Sequence, residues 1–282
     1  MRARAPRRLR ARRRPRAWRI GRRAGATTGA MMVVVLRALL LVLAPLSAYA
    51  PAAHAAAPLH PRVRVLLDRL ERARAIEQGD GSQCLVSDPP YGAKCDGGTD
   101  DTVALQAAIT ACAGTVALPE GKTCLSRGLA LRNGTRLRIP GQSVLKALPD
   151  PSKWDNRSLF LLHAGNTLGT TIFGGGTIDG SGNEWWKIAG GNRPHLFNND
   201  AVHNYTIRDV RLINSGRGVL GFGPPCSDVI VDNVTISEPA IGNSDGIDVS
   251  CDGFLIQNSL VQNGDDSICM KSPCSVLQFI HE

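Results

Sequence analysis

The sequence Ile207-Arg208-Asp209-Val210-Arg211-Leu212 has two later counterparts, Val231-Asp232-Asn233-Val234-Thr235-Ile236 and Ile256-Gln257-Asn258-Ser259-Leu260-Val261. Their first residues are 24 and 25 positions apart, the third position is Asp or Asn, and the sixth is aliphatic. Short β-type segments at a period in the twenties, with a polar turn residue at a fixed place, are typical of a parallel β-solenoid. The repeat therefore predicts an all-β chain of stacked coils. An antiparallel β-sandwich with chance spacing is the alternative.

A helix is predicted over residues 102–112, ahead of the coils. Thr99 or Asp100 can accept its first free N–H groups, and Gly114 ends it. Its apolar face consists of Ala104, Leu105, Ala108, Ile109 and Cys112. Early strands are predicted at Thr115–Leu118, Leu137–Ile139 and Ile172–Ile178. In this position the helix would cap the N-terminal end of the stack and shield its unpaired edge.

The first 55 residues differ in composition from the rest. They contain 13 arginines and no acidic residue, which gives them a formal charge of +13. Because the whole chain has a formal charge of +9, the remaining residues carry a net charge of −4. A mildly acidic remainder gives no electrostatic reason to expect a nucleic-acid partner. The segment Met31–Ala50 contains one charged residue, Arg37, and Ala-x-Ala sites follow it. Residues 1–55 therefore predict an Arg-rich extension and a secretory signal peptide cleaved after Ala55, with a membrane anchor as the alternative.

Residues 56–93 predict a leader helix followed by a loop. Its apolar residues at helix-like spacing are Val65, Leu66, Leu70, Ala73 and Ile76. This pattern indicates an amphipathic helix and suggests no function for it.

All eight cysteines follow the predicted signal peptide, and an even number in an exported chain indicates disulfides. Sequence spacing does not determine their connectivity, although the close pairs Cys84/Cys95, Cys112/Cys124 and Cys269/Cys274 are plausible partners. No Cys-x-x-Cys occurs and no paired histidines lie nearby. We therefore expect no metal site.

Two acidic segments, Asn243-Ser244-Asp245-Gly246-Ile247-Asp248 and Gly264-Asp265-Asp266-Ser267, lie between short apolar stretches. Asp245 and Asp265 are 20 residues apart, about one coil, so stacked coils would place the two acidic clusters side by side. Paired carboxylates are what acid–base hydrolysis of a glycosidic bond requires. Asp248 lies between Ile247 and Val249, which we expect to face inward, so its side chain would point into a groove or to solvent.

Motifs of one family occur in order along the chain: Gly98-Thr99-Asp100-Asp101-Thr102, Gly175-Gly176-Thr177-Ile178-Asp179-Gly180, Trp185-Trp186, Arg193-Pro194 and the two acidic segments. The set resembles the polygalacturonases of glycoside hydrolase family 28 from about Lys94 to Ser272. The resemblance implies a right-handed parallel β-helix over 94–282. It also implies inverting hydrolysis of α-1,4-galacturonan by a secreted monomer without a cofactor.

Site roles follow from the same resemblance. Asp265 would be the general acid, and Asp245 and Asp266 would activate the attacking water. Apart from the resemblance, we expect Asp248, Asn243 and Lys271 to bind substrate. The family's Gly-His-Gly and Arg-x-Lys motifs do not occur in the chain, and Pro273 to Glu282 shows no resemblance to the family. These absences predict a truncated enzyme, which could be inactive for that reason.

Two other functions fit the same residues. A β-helix lacking those motifs could be an inactive fragment that binds glycan weakly. A pectate lyase could use the aspartates to bind Ca²⁺, but Lys271 is the only base near the cluster. Trp185 and Trp186 could stack on sugars or simply pack, and we expect His195 and His203 to be structural.

Overall fold

The computed structural model describes residues 59–78, 82–154, 160–187, 193–239, 241–272 and 274–280. Its α-helices are α1 (Pro61–Gln78), α2 (Thr102–Ala111) and α3 (Gly182–Trp185), and a short 3₁₀ helix spans Pro151–Lys153. Its strands are β1 (Gln83–Leu85), β2 (Asp96–Asp100), β3 (Thr115–Ala117), β4 (Thr123–Ser126), β5 (Leu129–Ala130), β6 (Arg136–Arg138), β7 (Val144–Ala147), β8 (Phe160–Gly165), β9 (Thr171–Phe173), β10 (Thr177–Asp179), β11 (His195–Asp200), β12 (Thr206–Ile213), β13 (Leu220–Gly223), β14 (Ser227–Ser237), β15 (Ile247–Val249), β16 (Asp252–Gln257), β17 (Leu260–Gln262), β18 (Ile268–Met270) and β19 (Ser275–Ile280). The predicted signal peptide lies outside the described residues. None of the described helices is long and apolar enough to cross a membrane.

The strands form three faces of a coil. The first face runs β1-β3-β6-β9 and continues through the first halves of β12 and β14 to β16 and β19. The second face runs β2-β4-β7-β10 and continues through the second halves of β12 and β14 to β17. The third face is β5-β8-β11-β13-β15-β18. These ladders are all parallel, so the chain is a parallel β-helix and the β-sandwich alternative is wrong. Its coils are right-handed, as parallel crossovers almost always are.

The sequence repeat matches the coil register. Ile207 pairs with Val231, and Val231 pairs with Ile256. The third positions, Asp209, Asn233 and Asn258, have φ of 51°, 52° and 52°, the left-handed region that Asn and Asp tolerate best. These residues bend the chain from the first face to the second. The side chain of Asn233 donates to Asp209 Oδ1 at 2.7 Å, which links the bends of adjacent coils.

Helix α2 covers the N-terminal coils, as predicted. Its Leu105, Ala108 and Ile109 are buried in the main core, and it contacts β4 and β5. Asp100 Oδ1 accepts the Thr102 N–H at 3.1 Å, so Asp100 supplies one of the expected N-terminal hydrogen bonds. Gly174, Gly175 and Gly176 split the strand expected over Ile172–Ile178 into β9 and β10.

Helix α1 packs on the outside of the first face, a role that the sequence did not suggest. Its Val63, Leu66 and Leu70 are buried against Ile230 of β14 and Leu255 of β16. One of the five residues expected on this apolar face, Val65, is instead 61% exposed.

Three ion pairs hold α1 against neighbouring coils. Arg62 pairs with Asp228 at 2.9 Å and also with Asp252, and Arg74 pairs with Asp232, whose carboxylate is fully buried. The leader helix thus belongs to the packed solenoid and is not a separate unit ahead of it.

The disulfide partners suggested by proximity in the sequence are wrong. The bonds join Cys84 to Cys112, Cys95 to Cys124 and Cys226 to Cys251, with sequence separations of 28, 29 and 25 residues. Positions about one coil apart lie side by side in a solenoid, so cysteines pair across coils and not within one. Cys269 and Cys274 are free thiols.

We therefore expect two titratable thiols per chain and three bonds resistant to mild alkylation. Alkylation under denaturing, non-reducing conditions followed by peptide mass spectrometry should label Cys269 and Cys274 only. Recovery of a Cys269–Cys274 crosslinked peptide would contradict this pairing.

The C-terminal residues also continue the fold. Strand β19 pairs with β16 in register, with Phe254 opposite Leu277 and Ile256 opposite Phe279. These residues form the next rung of the first face, although Pro273 to Glu282 shows no resemblance to the family by motif.

Candidate active site

The candidate site lies on the outer side of the third face. Ile247 and Val249 are fully buried, so the alternation of a strand turns Asp248 outward, as expected. The same outward column contains His163, Asn198 and Gly221 before Asp248 and Cys269 after it, as the strand registers show. The column forms the floor of a groove that runs across the coils.

The acidic clusters lie on adjacent coils but with a different offset from the one expected. Ile247 pairs with Ile268, and the same register places Asp245 opposite Asp266. Gly246 permits this close stacking, since a Cβ there would lie 2.5 Å from the Ser267 carbonyl oxygen. Asp265 precedes the aligned pair and sits over Asn243.

Backbone amides hold the Asp265 carboxylate. Its Oδ2 accepts the Asn243 N–H at 2.8 Å and its Oδ1 accepts the Asp266 N–H at 3.0 Å. Asn243 has φ of 62°, a left-handed conformation that Asn tolerates. Asn243 therefore reaches the site through its backbone, and both oxygens of the Asp265 carboxylate have a backbone partner.

Sequence reasoning missed one organising residue, Asn263. Its Nδ2 donates to the carbonyl oxygens of Ser244, Asp265 and Asp266 at 2.9, 3.0 and 2.9 Å. One amide thus ties the turn of one coil to the turn of the next. The signal available in the sequence was an Asn immediately before Gly264-Asp265-Asp266, at a position where a side chain can bond to its own turn.

Electrostatics differ between the aspartates. Burial, and then the charges of Asp248 and Asp265, raise the pKa of Asp245 above its usual value. Lys271 Nζ lies 2.7 Å from Asp248 Oδ2, and this hydrogen bond raises the pKa of Lys271. The Lys271 charge is therefore largely engaged by Asp248.

His195 lines the groove, although we expected it to be structural. It lies beside Asp245 across Gly218, and burial, followed by the charge of Arg217, lowers its pKa to about 4. The imidazole is therefore neutral near neutral pH. His203 lies elsewhere, with Nδ1 2.8 Å from Ser227 Oγ.

The tryptophan pair packs internally. Trp185 is 3% exposed and meets Trp154 edge to face at 5.3 Å, while Trp186 Nε1 donates to the Ser215 carbonyl at 3.1 Å. Neither ring is placed as a sugar platform.

One group of possible metal ligands comes together among the described residues, namely Cys95, Asp101 and Cys124. Both sulfurs belong to a disulfide, and Asp101 accepts the N–H groups of Lys94 and Cys95 at 2.7 and 2.9 Å. The cluster is therefore a buried structural contact, because its sulfurs are bonded to each other and its carboxylate oxygens accept backbone N–H groups.

Comparison with known proteins identifies the family. The model of glycosyl hydrolases family 28 matches residues 110–282. A probable polygalacturonase of Arabidopsis thaliana is 31% identical over 219 residues, covering 71% of this chain and 49% of the relative. A polygalacturonase of Chamaecyparis obtusa is 30% identical over 199 residues, covering 64% of this chain and 38% of the relative. The chain thus spans about half or less of the length of these relatives.

A solved structure agrees. The polygalacturonase of Erwinia carotovora matches with a TM-score of 0.56 and 27% identity, over 65% of this chain and 60% of that one. The family match extends beyond Ser272 to the last residue, which agrees with β19 as part of the same ladder. This chain, with its parallel β-helix and clustered aspartates, belongs to glycosyl hydrolases family 28.

Proposed function

We propose that the protein is a secreted glycosidase that hydrolyses α-1,4-galacturonan with inversion of configuration. The observation that carries the proposal is the gathering of Asp245, Asp265 and Asp266 on two adjacent coils at the edge of an open groove. Inverting hydrolysis uses a protonated carboxyl group on one side of the bond and a carboxylate that activates water on the other.

The roles proposed from the motifs are Asp265 as general acid and Asp245 with Asp266 as the groups that hold the water. The surroundings of the two carboxyl groups favour the exchanged roles. Both oxygens of Asp265 already accept a backbone N–H group, whereas burial and neighbouring charges raise the pKa of Asp245. Asp245 as acid and Asp265 as base is therefore a second assignment, which leaves the reaction unchanged.

Substrate binding would use the remaining groups of the groove. Asp248 and Lys271 form an ion pair that offers an acceptor and N–H donors to sugar hydroxyls. Asn243 positions Asp265 through its backbone amide and presents an exposed side chain beside that aspartate. The leader of residues 1–55 and the three disulfides support an oxidising, extracellular location.

Reducing-end release from polygalacturonic acid tests the reaction, and proton NMR of the first product tests its stereochemistry. We expect new reducing ends of inverted anomeric configuration and no near-ultraviolet absorbance. An unsaturated, absorbing product would identify β-elimination and overturn the hydrolase proposal, and retention of configuration would overturn the inverting mechanism.

A further inference from the structure

The outward side of β13 has no side chains. Leu220 and Phe222 point into the core, and the outward positions, Gly221 and Gly223, are both glycine, as is Gly218 just before the strand. This strand lies between β11 and β15. A strip of backbone without side chains therefore separates the outward polar side chains of β11 from those of β15.

The three glycines leave different amounts of room. A Cβ at Gly218 would lie 3.0 Å from His195 Nδ1, and one at Gly223 would lie 2.2 Å from Asp200 Oδ1. At Gly221 the nearest atoms would be 3.5 Å or more away. His195 and Asp200 therefore lean over the neighbouring coil, and the space above Gly221 stays open between them.

The result is a trough of about 260 Å³ with Gly221 on its floor. His195 and Asp200 close its two ends, and Asn198 and Asp248 stand on its two sides. The volume is below the roughly 300–1,000 Å³ of sites for drug-sized ligands, which suits a single sugar ring. Asp245 also lines the trough, so a ring seated there adjoins the candidate catalytic aspartates.

Charge decides which sugar suits the trough. Three carboxylates line it, those of Asp200, Asp245 and Asp248. Among the described residues that line the trough, Lys271 is the one cation, and it is engaged by Asp248. A free carboxylate on the bound ring would meet this negative field, whereas hydroxyl groups and a neutral ester would not.

We propose that the trough is a subsite for one sugar residue whose C6 group is uncharged, such as a methyl-esterified galacturonosyl residue. Gly221 sets its depth and Asp200 disfavours a free carboxylate. This inference rests on the proposed function for the polymer, but its test measures binding and is independent of turnover.

The test is calorimetric titration of trigalacturonic acid and of its methyl triester into the full chain carrying Asp265→Asn, which should slow cleavage well below the time of a titration. Against this background Gly221→Ala should weaken triester binding about tenfold by filling the trough. Asp200→Asn should strengthen binding of the free acid about three- to tenfold and leave the triester unchanged. Gly141→Ala is the matched control, because no atom lies within 4 Å of a Cβ there and the site is remote from the groove.

The outcomes are distinct. Triester binding that is tighter than free-acid binding and lost in Gly221→Ala supports the subsite, even if the chain hydrolyses nothing. Equal affinity of Gly221→Ala and Gly141→Ala, or no heat for either ligand, overturns the subsite. Free acid that binds more tightly than the triester, with no selective effect of Asp200→Asn, overturns the uncharged assignment.

Discussion

Replacing Asp265 by Asn is expected to lower the rate of galacturonan hydrolysis by about 10²- to 10⁴-fold, the usual contribution of a general acid or base. The amide nearly preserves the size of the side chain, so packing should not change. Asn has one acceptor oxygen and can therefore keep only one of the two N–H bonds from Asn243 and Asp266. The bonds from Asn263 to three carbonyl oxygens do not involve the Asp265 side chain, so they should keep the turn in place.

Leaving-group dependence distinguishes the two role assignments. A variant that has lost the acid should recover most of its rate on an aryl oligogalacturonide with a good leaving group, because that substrate needs little protonation. A variant that has lost the base should remain slow on both substrates. Recovery by Asp265→Asn supports the motif-based roles, whereas recovery by Asp245→Asn supports the exchanged ones.

Asp68→Asn serves as the control, since Asp68 is exposed on α1, on a different face of the coil from the groove. It should retain the unmodified rate and melting temperature. If Asp265→Asn retained full activity with a normal melting curve, Asp265 would not be part of the catalytic machinery.

The second large effect concerns stability. Leu66→Ala is expected to lower the free energy of unfolding by about 2–5 kcal/mol, the range for truncating a buried leucine. Leu66 is 1% exposed and packs with Ile230 and Leu255 on the outside of the first face. The substitution leaves a cavity between the helix and two coils, and it keeps helix propensity high.

Val65→Ala is the matched control because it lies on the same helix, one residue away, and is 61% exposed. The melting temperature should fall by about 2–4 °C for each kcal/mol of stability lost in Leu66→Ala. It should change little in Val65→Ala. Equal shifts for the two variants would show that α1 does not dock through the Leu66 face.

The coil architecture could be predicted because its signal is local and repeated. The polar third position of each repeat marks a left-handed bend, and the aliphatic sixth position falls in the same ladder of the second face. The motif residues of the site could be found for a similar reason, since each acidic segment occupies one turn. Asp248 was placed correctly by strand alternation alone.

What the sequence did not reveal depends on contacts between coils. Disulfide partners and the pairing of Asp245 with Asp266 follow from register, which a shift of one residue changes completely. The docking of α1 had an overlooked signal in Val229-Ile230-Val231 and Phe254-Leu255-Ile256. Both are unbroken apolar runs, and such runs indicate a strand buried on both sides. The groove role of His195 required knowing that Gly218 lies between it and Asp245.

The docking of α1 also orders the events of folding. Arg62 is separated from its partner Asp228 by 166 positions and from Asp252 by 190. During synthesis the helix leaves the ribosome before every strand of the solenoid, yet the surface that receives it is completed only when β16 has formed. Contacts of such long range are slow to form, so Val63, Leu66 and Leu70 stay unprotected until late. Pulsed hydrogen exchange should therefore show amide protection in α1 appearing after that of the early coils.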